Sequence, residues 1–120
     1  MHTTSPTELL QAVSEPTRLR ILNCLAAAPL FVSDLQELLD LPQSTVSRHL
    51  QVLRRVGLVR DTPITPFVLY RLRRTSGPTA KVLDAILAAL GDLEPTRSER
   101  LQARERSRAA YTARVTETQA

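Results

Sequence analysis

Between Gln43 and Arg55 the chain reads QSTVSRHLQVLRR, and its polar residues are of the kinds that bond to nucleic acid. Arginine can grip guanine with two parallel hydrogen bonds and glutamine can do the same to adenine, while hydroxyls serve bases or phosphates. At about 100° per helical residue from Ser44, the side chains of Ser44, Ser47, Arg48, Gln51, Arg54 and Arg55 fall in one arc from about 280° to about 40°. Val46, Leu50 and Leu53 fall at about 180–240°, the stripe a folded body would cover. Solvated helix faces mix acids with bases, because opposite charges four apart support the helix. This face has no acid and is fitted to meet negative charge. Gln43, Ser44, Thr45, Ser47 and Arg48 occupy the N-terminal half, where side chains reach base edges. Arg54 and Arg55 lie further along and suit phosphate or water. The plain alternative is an amphipathic core helix that merely carries basic residues.

Charge along the chain agrees with the first reading. The net charge of the 120 residues is +4, but residues 41–75 alone carry +6, with Arg48, Arg54, Arg55, Arg60, Arg71, Arg73 and Arg74 against Asp61, and the remainder carries −2. A basic middle on a mildly acidic frame points to a polyanionic partner at that segment. Arginine supplies nearly all of the positive charge, since Lys81 is the one lysine. Aromatics make up only 3% and tryptophan is absent, so the core must be built from Leu, Val, Ile and Ala.

The elements that must position this helix are legible around it. Ser5, Pro6 and Glu8 spell an N-cap, a first-turn proline and a capping box for a first helix. A second helix is predicted from about Pro16 to Ala28, with Leu19, Ile21, Leu22 and Leu25 at helical spacing and Pro29 after it. SDLQELLD at 33–40 predicts a short third helix capped by Ser33, with Gln36 three residues on. A tight connection, DLPQ, leads into the fourth helix, which runs to about Val56, with Gly57 at the left-handed C-cap position. A short helix, a tight turn and a second helix form the helix-turn-helix arrangement, whose second helix enters the major groove. Beyond Gly57 the period changes. LVRDT and FVLYRL are short, β-branched and aromatic, with Pro63 and Pro66 between them, and predict a hairpin. A wing of that kind would set Arg60, Arg71, Arg73 and Arg74 beside the phosphates. A fifth helix is predicted from about Ser76 to Gly91. The segment from Pro95 to Val115 is helix-prone but thinly apolar, with Leu101, Tyr111 and Val115 on its apolar edge; its default reading is a solvated helix with frayed final residues.

SEPTRLRILNCL, VSDLQELLDLPQSTVSRHLQVLRRVGLV and VLYRL together resemble the ArsR/SmtB family of bacterial winged-helix repressors, over about residues 7–74. The resemblance implies a homodimer through the first and fifth helices, binding to an imperfect inverted repeat in a promoter, and release by an inducer. The residues support a dimer independently. Val82, Leu83, Ile86, Leu87, Ala89, Leu90 and Leu93 spread over roughly half the fifth helix's circumference, more than one small neighbour covers, and twofold symmetry would match a palindromic site. Packing against the C-terminal segment is the alternative cover.

Many members of that family sense thiophilic metals through two cysteines at the start of the third helix. Here Phe31 and Ser33 stand in those places; phenylalanine cannot ligate and serine is a poor soft-metal ligand. The family's second site pairs Asp with His on the fifth helix, where this chain has Asp84 but no histidine after His49. No metal or other cofactor is therefore expected, and the inducer is open. Cys24, a lone cysteine among leucines, reads as an inert small hydrophobe, with a thiol sensor as the alternative. His49 sits off the basic face and reads as a packing residue. Ser47 and His49 are about 200° apart on the helix and cannot pair as in a hydrolase; no phosphate loop, carboxylate pair or CxxC occurs, so an enzyme is not expected.

The expected protein is thus a mainly α winged helix-turn-helix with a small β-hairpin. Residues 1–92 would form the DNA-binding and dimerisation domain and 93–120 a helical extension. Its partners would be double-stranded DNA, read by Gln43, Ser44, Thr45, Ser47, Arg48, Gln51, Arg54, Arg55, Arg60 and Arg71, and a second copy of itself. A protein-interaction module is the competing class, favoured by a wing tip, DTPITP, that lacks basic residues. No membrane span or signal peptide is expected, and a cytoplasmic location follows as the default.

Overall fold

Ser5 opens the first helix, α1 (Pro6–Val13), as its sequence predicts: its hydroxyl accepts from the Glu8 N–H at 3.1 Å and Glu8 Oε1 accepts from the Ser5 N–H at 3.1 Å. The computed structural model describes residues 4–73 and 76–119; the side chains of residues 110, 111, 114, 115 and 117–119 lie outside that description, as do Arg74 and its expected phosphate contact. The chain continues through α2 (Pro16–Ala27), β1 (Leu30–Phe31), α3 (Val32–Leu39), α4 (Gln43–Arg55), β2 (Val59–Ile64), β3 (Phe67–Leu72), α5 (Pro78–Gly91) and α6 (Thr96–Gln119). Among the described residues, six helices thus accompany a small antiparallel sheet of order β1-β3-β2.

Two local expectations are corrected. The third helix starts one residue earlier than predicted, and its cap is Phe31 rather than Ser33. Phe31 still has the extended backbone of β1, and the Asp34 carboxylate reaches back to accept its N–H at 2.9 Å. A third strand joins the hairpin: Leu30 pairs with Tyr70 and Phe31 with Leu69. Pro63 stands in β2, the edge strand, where a missing N–H is tolerated.

The core is aliphatic, as the composition requires. Leu9, Ile21, Leu22, Leu30, Leu35, Val46, Leu50 and Leu53 are fully buried within one cluster that reaches Leu83 and Leu87 on α5. The sheet's inner face gives Val59, Tyr70 and Leu30 to it. On the outer face Arg60 stands opposite Arg71 in register, beside Thr62 and Leu69.

The C-terminal helix is not the solvated rod expected from its thin apolar edge. It packs on α2 and α3 mainly through polar residues: Glu99, Arg100, Arg106 and Ser107 share one side with the small, buried Ala103. Arg20 Nη2 meets Glu99 Oε2 at 2.5 Å, and Ser107 Oγ donates to the Pro29 carbonyl at 2.6 Å. Asn23, fully buried in α2, donates to the Thr96 carbonyl at 2.9 Å and accepts from Arg100 Nη2 at 2.8 Å. That same Nη2 donates to the Leu87 carbonyl at 2.6 Å. Arg106 pairs with Asp34 at 3.6 Å and with Glu37. Gly91 makes room for this network, because a Cβ there would lie 2.5 Å from Arg100 Nη1. Leu101, by contrast, points outward, more than half exposed. Tyr111 and Val115, the rest of the expected apolar edge, lie outside the described side chains. The helical backbone continues to Gln119 through the segment expected to fray.

Candidate nucleic-acid interface

The turn between α3 and α4 is closed by Asp40, which adopts left-handed backbone angles (φ 54°, ψ 55°). Aspartate tolerates that region better than most residues because its short polar side chain can bond locally. The Leu41 N–H donates to the Gln36 carbonyl at 3.1 Å and the Pro42 carbonyl receives the Val46 N–H at 3.2 Å, so three residues turn one helix into the next. Pro42 occupies the N-cap of α4 and offers no side-chain acceptor, and the first turn carries no acid. The Thr45 N–H already donates to the Pro42 carbonyl at 3.1 Å, and the Gln43 and Ser44 N–H groups keep their capacity to bind an anion.

Burial divides α4 as its sequence predicts. Val46, Leu50 and Leu53 are 0% exposed, while Gln43, Ser44, Arg48, Gln51, Arg54 and Arg55 are exposed and Thr45 and Ser47 half-buried. Truncating Leu50 or Leu53 to alanine costs about 2–5 kcal/mol in such a setting, so the stripe fixes the helix's rotation on the body. Gln43 Nε2 donates to Ser47 Oγ at 3.3 Å along the exposed face. His49 is buried at the margin, with Nδ1 3.8 Å from Glu15 Oε2, in keeping with a packing role.

The far end of α4 is joined to the wing. Gly57, at φ 84°, forms a Schellman closure: its N–H donates to the Arg54 carbonyl at 3.1 Å and the Leu58 N–H to the Leu53 carbonyl at 2.9 Å. The Arg73 N–H then donates to the Leu58 carbonyl at 3.0 Å. Thr4 Oγ1 donates to the Val56 carbonyl, which ties the start of the chain to the same place. Arg54, read from sequence as a phosphate or solvent contact, has Nε 3.3 Å from Asp61 Oδ1.

The wing arginines do not all accompany α4. Arg60 is exposed on the edge strand. Arg71 is half-buried, and together they line a cavity of about 490 Å³ with the end of α2 and with α5. The sequence reading missed this cavity; the signal was present in the register, which sets Arg60 and Arg71 on the sheet face turned away from the core. At the place where the resemblance implies a metal-binding cysteine, the Phe31 ring is buried, 5.7 Å from Phe67 and edge-on to it. Among the described residues no three His, Cys, Asp or Glu side chains gather as a metal site. Cys24 is fully buried, and loss of solvation, with Glu99 nearby, pushes its thiol up to about 12.

Comparison with known proteins agrees with this architecture. Residues 13–62 match the model of a helix-turn-helix domain. The chain is 43% identical over 75 residues to the HTH-type transcriptional regulator NmtR of Mycobacterium tuberculosis, a match covering 62% of this chain and 61% of that one. It is 32% identical over 80 residues to the biofilm growth-associated repressor of Agrobacterium fabrum, covering 67% of each. The chain thus spans less than two thirds of the mycobacterial relative. The structure of reduced HlyU from Vibrio cholerae superposes with a TM-score of 0.63 at 35% identity, covering 74% of this chain and 87% of that one. A helix-turn-helix with an attached wing, and relatives of this kind on both sequence and structure, place the chain in the ArsR/SmtB family of winged helix-turn-helix transcriptional regulators.

Proposed function

We propose that the chain is a homodimeric, sequence-specific repressor that reads an inverted repeat in a promoter. The observation that carries this reading is the division of α4: a fully buried aliphatic stripe holds out a polar face without a single acid. Gln43, Ser44, Thr45, Ser47 and Arg48 stand toward base edges, and Gln51, Arg55 and Arg60 toward phosphate. Arg54 serves phosphate only after leaving Asp61. Arg71 faces the cavity instead.

A second copy is supported by apolar surface on the paired helices α1 and α5 and just past the end of α5. Leu10 is 54% exposed, Val82 39% and Leu93 58%. Val82, Ala85 and Ala89 share one side of α5 and Leu93 is exposed two residues past its end, so a twofold partner would bury apolar surface there. The regulator works without the family's metal sites, because Phe31 fills one and the other lacks its histidine. Cys24 supports no thiol sensor, since its buried sulfur stays protonated across the physiological range.

Exposed Ile64 and Phe67 at the wing tip favour the competing reading, a protein-interaction module. An electrophoretic gel shift on the DNA upstream of the chain's own gene decides between them. Wild type shifts that DNA, with log affinity falling linearly against log salt. Arg48→Ala loses about 1–3 kcal/mol of binding if it reads a base. Equal affinity of the variant would refute the assigned face.

A further inference from the structure

We infer that the cavity beneath the wing is an effector site for a small organic anion, a carboxylate or phosphate joined to a compact apolar body. This regulation rests on the DNA-reading assignment above. The cavity lies between the end of α2, the base of the wing and α5. Its volume of about 490 Å³ falls in the range of small-molecule sites. Arg60, Arg71 and Arg73 line it against a single acid, Asp84, and Leu83 and Leu87 supply an apolar wall. The C-terminal pole of α2 contributes only about half a negative charge. Positive charge therefore prevails over both.

A second observation points to a ligand. Arg71 Nε is shut off from solvent and has no hydrogen-bond partner among the described residues. A buried donor left unpaired is unfavourable, and an anion in the cavity would give it an acceptor. Arg71 also borders a second, more apolar hollow, lined by Phe31 and Leu69 together with Asp34 and Arg108.

The site is coupled to the DNA-reading end through shared residues. Arg60 and Arg73 also line the crevice beside Arg54 and Asp61. An anion held in the cavity draws those two guanidiniums away from phosphate, and it acts on Arg73, whose N–H is bonded to the Leu58 carbonyl just beyond α4. Binding of the anion then releases DNA.

Isothermal titration of the full chain, without DNA and at fixed ionic strength, tests the site. Octanoate and benzoate should bind once per chain. Inorganic phosphate should bind at least about tenfold more weakly, and octylammonium not at all. Arg71→Met should weaken octanoate by about tenfold or more, the loss of one charge-assisted pair. Asp84→Asn, an exposed change that leaves the core intact, should tighten it. If Arg71→Met does not fold, Arg73→Met takes its place. Failure of all three anions to bind, or equal octanoate affinity in the arginine variants, overturns the site. Octanoate binding that leaves promoter affinity unchanged overturns the regulation. A chain that binds octanoate but no DNA refutes the reading of α4 and leaves the cavity assignment standing.

Discussion

Arg54 and Asp61 join the last turn of the recognition helix to the first half of the wing, with Nε 3.3 Å from Oδ1. Both side chains are partly exposed, so the pair adds no more than about 0–1 kcal/mol to stability. Its larger effect is on charge, because Asp61 is the one acid in the basic segment. Asp61→Asn should free Arg54 for phosphate. Non-specific DNA affinity should rise and the slope of log affinity against log salt should steepen by about one. Fluorescence anisotropy across a salt series reads both quantities; an unaltered slope means that Arg54 does not reach DNA.

The exposed apolar surface on α5 and at Leu93 just beyond it gives a second expectation. Val82→Glu combined with Leu93→Glu places two charges where a partner would press apolar surface. The variant should run as a monomer in size-exclusion chromatography with light scattering, keep its helical circular dichroism and lose most promoter affinity. A double variant that stays dimeric would move the seam elsewhere.

Cys24 has a pH signature. Its thiol ionises near 9 in an unfolded chain, but burial first, and Glu99 second, hold it to about 12 in the fold. Between those values the folded state keeps a proton that the unfolded state has lost. Its contribution is therefore full below pH 9 and declines as pH rises toward 12. Tyr70, whose hydroxyl is raised by burial and by Asp61, acts in the same sense. Urea denaturation from pH 8 to 10.5 should show stability falling, and Cys24→Ala should flatten part of that fall. In the native chain at neutral pH, iodoacetamide should leave Cys24 unmodified; rapid alkylation would revive the sensor reading.

Asn23 is the hub of the seam between α2 and α6. Asn23→Ala strips Arg100 of two hydrogen bonds and should cost about 1–3 kcal/mol or somewhat more, given the charge left behind. Arg100→Ala should overlap with it, so the double variant loses less than the two losses combined. Thermal denaturation of the three proteins measures this. Simple additivity would show that the contact carries no coupling.

The recognition helix was readable because its two faces differ in kind, aliphatic against basic, at a spacing only a helix satisfies. The Ser5 cap was readable because both partners of a capping box lie within four residues. The same rule misplaced the cap of α3. Ser33 and Gln36 have the right spacing, but Phe31 is held in a strand by Leu69, and that long-range pairing leaves Asp34 as the residue able to reach back. β1 is only two residues long, and no period exists at that length. The docking of α6 is not legible as an apolar stripe, because its seam is made of Glu99, Arg100 and Arg106; the small Ala103 among them, 0% exposed, is the one sign of it in the sequence. Strand alternation puts Arg60 and Arg71 on one sheet face, as their spacing allows; what the spacing does not show is that the end of α2 and α5 close over that face and bury the Arg71 Nε.

Heat capacity should record how α6 is held. Unfolding raises heat capacity mainly through newly hydrated apolar surface, while polar exposure lowers it. A helix seated on carboxylates, guanidiniums and one buried amide therefore contributes enthalpy to the calorimetric transition and little to its curvature. A chain cut before Thr96 would melt with a reduced unfolding enthalpy but nearly the heat-capacity step of the whole protein.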